Sequence, residues 1–285
     1  MSKWLRNVAE HHPFLFWIGS ILILGEVLYK IPAVTFLQGN EWAVTLLRLS
    51  ILLGTILMVR EMYDGEYSMG FRRENFRKGF LLMMIPACPF MILNFLNQVP
   101  HGVYLEAVFT CVMCNLIIGF FEEVLVRGFL MGSMMRHWEN RKHRIGKSII
   151  LSSLFFGALH IGNVFSGASL LASLFQVFYA TAIGIAFGSV YARTKNIGAL
   201  ALIHGFVDLL GSMGEMTVPM HGGEDAVYYE YGITFFDDFI NGGNGMRFIA
   251  LIIVSSIFAI ACGIFLVRKS KTAEITDTWR QAARP

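Results

Sequence analysis

One stretch constrains this chain more than any other: a long apolar run broken once, by a tight cluster of charge. Nothing charged occurs from Ala107 to Phe121. Glu122, Glu123 and Arg127 follow, and nothing charged occurs again from Gly128 to Met135. About 20 apolar residues are enough to cross a bilayer. An ionisable group held at that depth is costly, so it marks a functional site by default. Similar apolar blocks recur along the chain, at roughly 14–31, 43–60, 79–96, 104–135, 147–162, 169–191, 197–212 and 248–267. The composition agrees: 15% of residues are charged, against about 25% in a soluble domain. The expected fold is all-α, a polytopic membrane helical bundle of about eight transmembrane helices. Residues 1–285 read as a single integral-membrane domain. Its polar-bearing core lies at about 104–212 and its C-terminal cytosolic tail at about 268–285.

The basic residues give the orientation. With the N-terminus inside, every Lys and Arg except Lys30, Arg48, Arg127 and Arg247 falls in an inside segment. Both termini are therefore expected inside, in the plasma membrane if the chain is prokaryotic. Lys3 and Arg6 ahead of the Phe14–Leu24 run resemble a signal peptide. No small-x-small cleavage site follows in Glu26–Lys30, so the run reads as an uncleaved first span. The fourth span is long and is expected to tilt or project. The fifth and seventh, short and interrupted by polar residues, read as interior helices lining a cavity. Gly211 to Met246 reads as an acidic, glycine-rich external loop. Cys111-x-x-Cys114 has no βαβ context or second ligand pair and reads as helix packing. No basic arm with interleaved aromatics points to nucleic acid.

Three spans carry polar groups that a lipid-facing helix holds only at cost. At about 100° per residue, Glu123 and Arg127 share one face, while Glu122 points about 100° away. Arg127 then neutralises Glu123 as a structural ion pair, and Glu122 is left as either a hydrogen-bonded core acid or a working carboxylate. His204 and Asp208 form a second i, i+4 pair. His160 closes the fifth span. Alone it reads as a core histidine; with His204 and an acid on other spans it reads as part of a site that activates water. Phe156 reads as packing. Glu26 and Arg48, in the first two spans, read as a remote ion pair or as interfacial groups without a role.

Taken in order, Glu122-Glu123-x-x-x-Arg127, Phe156-x-x-x-His160 and His204-x-x-x-Asp208 resemble the three motifs of the CPBP intramembrane proteases. This is the CAAX-protease and bacteriocin-processing family, which includes the Rce1-type CAAX proteases. The motifs run through Leu105–Leu210, and the first three spans and the last match in topology alone. The resemblance implies an endopeptidase that hydrolyses a peptide bond in a membrane-tethered or lipidated protein or peptide. It implies Glu122 as the base for water, His160 as an orienter of that water and His204 as a donor to the oxyanion. Glu123, Arg127 and Phe156 would support them. Asp208 stands where the family has Asn as a second oxyanion donor. An ionised Asp accepts but does not donate, so Asp208 donates only if protonated; otherwise it orients His204 or helps hold a metal. No cofactor is required on this reading. Zinc is the alternative, held by His160, His204, Glu122 and Asp208. Expected partners are the bilayer and the substrate, with no nucleic acid. Two other classes use the same residues: a non-catalytic immunity or scaffold protein, and a proton- or cation-coupled transporter. No paired repeat between the halves supports the transporter.

Overall fold

The computed structural model describes residues 8, 11–37, 39–63, 69–71, 73–97, 105–217, 245–268 and 271–281. Helix α1 (Pro13–Ile21) passes through a π-helical segment (Leu22–Lys30) into α2 (Ile31–Thr35). Helices α3 (Glu41–Met62) and α4 (Phe76–Asn97) follow. Helix α5 (Leu105–Glu123) passes through a second π-helical segment (Val124–Met131) into α6 (Gly132–His137). Helix α7 (Arg144–Leu159) ends in a 3₁₀ turn (His160–Ser166). Then come α8 (Leu170–Thr194), α9 (Ile197–Gly211), α10 (Gly245–Leu266) and α11 (Thr272–Gln281). No strand occurs among the described residues. Most of the expected acidic loop, 218–244, lies outside them.

Helix starts follow local chemistry. The Asn40, Ser169 and Asn196 side chains accept from the backbone N–H of Ala43, Ala172 and Ala199, capping α3, α8 and α9. Such caps satisfy amide groups that have no partner in the first turn. Pro13 opens α1, where no donor is needed. Pro86 and Pro89 sit inside α4, which membrane helices tolerate.

The outside is greasy and the inside holds the polar groups. Leu46, Leu53 and Leu57 on α3, Leu81, Ile85 and Ile92 on α4, and Val254, Ile257 and Ile264 on α10 are exposed. Thr45, Thr55, Asn115, Ser148, Ser152 and Ser153 are buried. That arrangement suits lipid as the surrounding solvent. Among the described residues, seven helices are long and apolar enough to cross a membrane, one of them Leu105–His137 with 33 residues. The chain is an integral membrane protein.

The seventh expected span, 197–212, corresponds to the short helix α9. Helix α9 has 15 residues, about 22 Å at 1.5 Å each, against a hydrocarbon thickness of about 30 Å. It sits inside the bundle, with Ile197, Ala199, Leu200, Ala201 and Ile203 fully buried. The fifth span, expected as interior, turns Ile150, Leu151 and Leu154 outward, so only one of its faces lines the interior.

Helix α9 crosses α5 at backbone contact. A Cβ on Gly119 would lie 2.5 Å from the Ala201 carbonyl and the Gly205 nitrogen. One on Gly205 would lie 2.9 Å from the Leu116 Cα. Small residues at such a crossing let membrane helices approach closely. The crossing sets Glu122 and Glu123 opposite His204.

Within the expected C-terminal tail, α11 docks against the bundle. Glu274 accepts from Lys78 at 2.8 Å, from Arg193 at 2.9 and 3.1 Å and pairs with Lys271 at 3.2 Å. Trp279 Nε1 donates to the Ala192 carbonyl at 2.9 Å, and the Lys195 ammonium lies 4.6 Å from the Trp279 ring centroid. The hydrogen bonds from Lys78 and Arg193 pull the Glu274 carboxyl down to about 2. A depressed carboxyl stabilises the docked state fully above its ordinary value of about 4.5 and loses that effect as pH falls toward 2. Hydrogen-exchange protection of residues 272–281 is therefore expected to be high at pH 7 and to fall between about pH 4.5 and 2. Glu274→Gln should lower protection at pH 7 and remove that titration. An unchanged protection profile in the variant would show that Trp279, not Glu274, holds the helix.

Candidate active site

The site forms where α5, the second π-helical segment, α7 and α9 meet. Glu123 and Arg127 are fully buried, and Arg127 Nη1 donates to Glu123 Oε1 at 3.0 Å. The pairing expected from helical phase is thus observed. The Arg127 guanidinium is caged further: Nη2 donates to the Gly184 carbonyl at 3.2 Å. Its Cζ stands 4.5 Å from the Phe156 ring centroid and 5.5 Å from that of Phe187. Aromatic faces are favourable neighbours for a desolvated cation.

Glu123 has a second role that its sequence position did not reveal. The same Oε1 accepts from His204 Nδ1 at 2.8 Å. A carboxylate already paired with Arg127 is an acceptor only, so His204 carries its proton on Nδ1 there. The opposite nitrogen, Nε2, then faces Glu122 Oε2 at 3.5 Å and Asp208 Oδ2 at 3.6 Å. Because Nδ1–H is committed, Nε2 can donate only in the imidazolium form. Asp208, expected to donate, to orient His204 or to hold a metal, is not what fixes the ring. Glu123 does that. The three carboxylates also differ in access: the Glu122 and Asp208 side chains are 31% and 30% exposed, and that of Glu123 is 0%.

His160 is tethered within its own helix end. Its Nδ1 meets the Phe156 carbonyl at 2.9 Å. A carbonyl only accepts, so Nδ1 is the donor, and in the neutral ring Nε2 carries the lone pair. His160 lies within electrostatic reach of Glu122 and His204. Phe156, read from sequence as packing, stands edge-on to both imidazoles, with centroids 5.0 Å from His160 and 5.8 Å from His204. One ring therefore contacts Arg127 and both histidines.

The first two spans supply groups that carried no role when read along the chain. Lys30 Nζ donates to Asn163 Oδ1 at 2.9 Å, and Asn163 Nδ2 donates to Gln176 at 2.7 Å. This chain of bonds ties the end of the first π-helical segment to the turn carrying His160. Arg48 does not pair with Glu26. Its Nε donates to the Tyr29 hydroxyl at 2.6 Å, and its Cζ lies 4.9 Å from the Tyr29 ring centroid. Glu26 lies beside Lys30 against Gly162. A signal for these residues was available. Lys30, Arg48 and Arg127 are three of the four basic residues that violate the inside bias.

Among the described residues, no group of three or more His, Cys, Asp or Glu side chains is placed to hold a metal ion. Nδ1 of each histidine is engaged, so Nε2 is the nitrogen that each leaves to face a ligand. Cys114 Sγ lies 3.0 Å from Thr45 Oγ1, and Cys111 Sγ donates to the Ser212 carbonyl at 3.4 Å.

Residues 103–210 match the family model described as type II CAAX prenyl endopeptidase Rce1-like. The core of the chain is similar to the Rce1-like family over those residues. At family level this supports a CAAX-protease-type intramembrane endopeptidase. The match covers α5 through α9, the part of the bundle that holds the carboxylates and both histidines. No curated protein and no solved structure matched the chain.

Within this Rce1-like core, Arg127 is the counter-charge that makes Glu123 tolerable. Removing one partner of a buried pair costs about 3–5 kcal/mol, whereas replacing both by apolar groups is often near neutral. Arg127→Leu is expected to destabilise by about that amount. Glu123→Leu/Arg127→Leu should recover part of the loss, short of full recovery because His204 Nδ1 loses its acceptor. Thermal unfolding in detergent measures both. A double variant less stable than Arg127→Leu would refute the pairing account.

Proposed function

We propose that the chain hydrolyses a peptide bond in a membrane-associated or lipidated protein or peptide by a glutamate-activated water. The observation that carries this reading is the single imidazole of His204, anchored through Nδ1 by buried Glu123 and facing Glu122 and Asp208 through Nε2. Glu122 is the accessible carboxylate and acts as base. The lone pair of His160 Nε2 accepts the second O–H of the water and aims its oxygen.

The chemistry then runs in two steps. Glu122 takes one proton from the water as its oxygen attacks the scissile carbonyl carbon. The carbonyl π pair moves onto oxygen, and the oxyanion is received by the Nε2–H of an imidazolium His204. The tetrahedral centre collapses, the C–N bond breaks, and Glu122 returns its proton to the leaving amine. Glu123 and Arg127 hold His204 in place throughout. Asp208, across from Nε2, favours the imidazolium as a carboxylate and offers a second donor when protonated.

A preorganised donor of this kind contributes about 10²–10³ in rate, and a positioned base about 10²–10⁴. Glu122→Gln in proteoliposomes is expected to insert and unfold like the parent while cleavage of a membrane-peptide substrate falls by about 10²-fold or more. His204→Gln should fall comparably. Comparative peptidomics of membranes carrying the parent or Glu122→Gln supplies the substrate. Full cleavage of that substrate by purified Glu122→Gln would sink the proposal.

A further inference from the structure

Arg48 is a guanidinium inside the bundle with its fork end unused. Nε is taken by the Tyr29 hydroxyl, and the Tyr29 ring supports the group's face. Nη1 is buried without an acceptor. Among the described residues Nη2 has no acceptor either, and no carboxylate pairs with Arg48. An unpaired guanidinium in an apolar bundle is expensive, so it is kept where a ligand supplies the counter-charge. Its place is the rim of the proposed site. The Tyr29 ring packs at a tilt against Phe121, the neighbour of Glu122, with centroids 5.2 Å apart, and Arg48 is within electrostatic reach of Asp208. The other nearby cation, Lys30, is already engaged by Asn163.

We infer that Arg48, braced by Tyr29, binds a carboxylate of the substrate and so sets which peptide bond lies over Glu122. The planar fork matches a carboxylate in two parallel hydrogen bonds, and Tyr29 fixes its orientation through Nε. The carboxylate is the α-carboxylate at a substrate's C-terminus or an acidic side chain near the cut. The inference rests on the hydrolytic reading for its consequence, but the binding it requires is measurable without cleavage.

The test uses the full chain in phosphatidylcholine nanodiscs. Three dansyl-labelled S-farnesyl tetrapeptides serve as probes: a free acid, its C-terminal amide, and the amide with one internal Asp. The free acid is expected to bind the parent roughly tenfold tighter than the plain amide. Arg48→Gln should bring that ratio to about one by weakening the acid alone, and Arg48→Lys should keep part of it. Recovery of affinity by the internal Asp assigns the fork to side-chain carboxylates; no recovery assigns it to the terminal one. Either result supports a carboxylate site.

Four results overturn it. These are equal binding of acid and amide by the parent, no binding of any probe, equal weakening of acid and amide in Arg48→Gln, and loss of discrimination when anionic lipid is added. Equal weakening means Arg48 only braces the fold, and the last makes the fork a headgroup site. Unfolding curves and size exclusion confirm that Arg48→Gln is folded, and Tyr29→Phe, which removes only the hydroxyl acceptor, provides the second variant. Discrimination without Glu122-dependent cleavage would retain the carboxylate site and reject hydrolysis; cleavage without discrimination would do the reverse.

Discussion

One oxygen atom, Glu123 Oε1, is where the structure's constraints meet. It accepts from Arg127 and from His204 at once. The first bond makes a buried charge tolerable on α5. The second fixes a ring on α9, reached only because Gly119 and Gly205 let the two backbones touch. Stability and site geometry are thus one problem here. A charge that is costly alone becomes, once paired, a rigid anchor in surroundings of low dielectric. Phe156 adds a third side, since its ring serves Arg127 and both imidazoles.

The division of labour among the carboxylates follows from exposure. Glu123 is sealed, so its charge is spent on structure. Glu122 and Asp208 are each about one-third open. Both flank Nε2 of His204. Lipid-exposed Leu and Ile rows on α3, α4 and α10 keep this wet chemistry away from the hydrocarbon.

Much of this was legible in the residues. Apolar block length gave the helices, and a period of 3.6 separated Glu122 from the Glu123–Arg127 pair. The 33-residue fourth helix matched the long expected span. What escaped were relations between helices. Nothing in the spacing of Glu123 says that His204, 81 positions later, will land on it. Arg48 and Lys30 appeared as exceptions to a topology rule, and only packing shows that they gather near one site. The short α9 was legible as an interior helix, because its length and polar interruptions set it apart from the lipid-facing spans.

The two π-helical segments were also invisible to a 3.6-residue reading, yet both adjoin the site: Leu22–Lys30 ends on Tyr29 and Lys30, and Val124–Met131 holds Arg127. π segments recur at functional positions in helices. Their register carries an evolutionary consequence. Losing one residue from 128–131 would leave all three motifs spelled as before, and the segment would either rewind as α-helix or rotate everything beyond by about 100° relative to Glu122. In a relative lacking one residue there, sequence identity across the gap would overstate how alike the two bundles are.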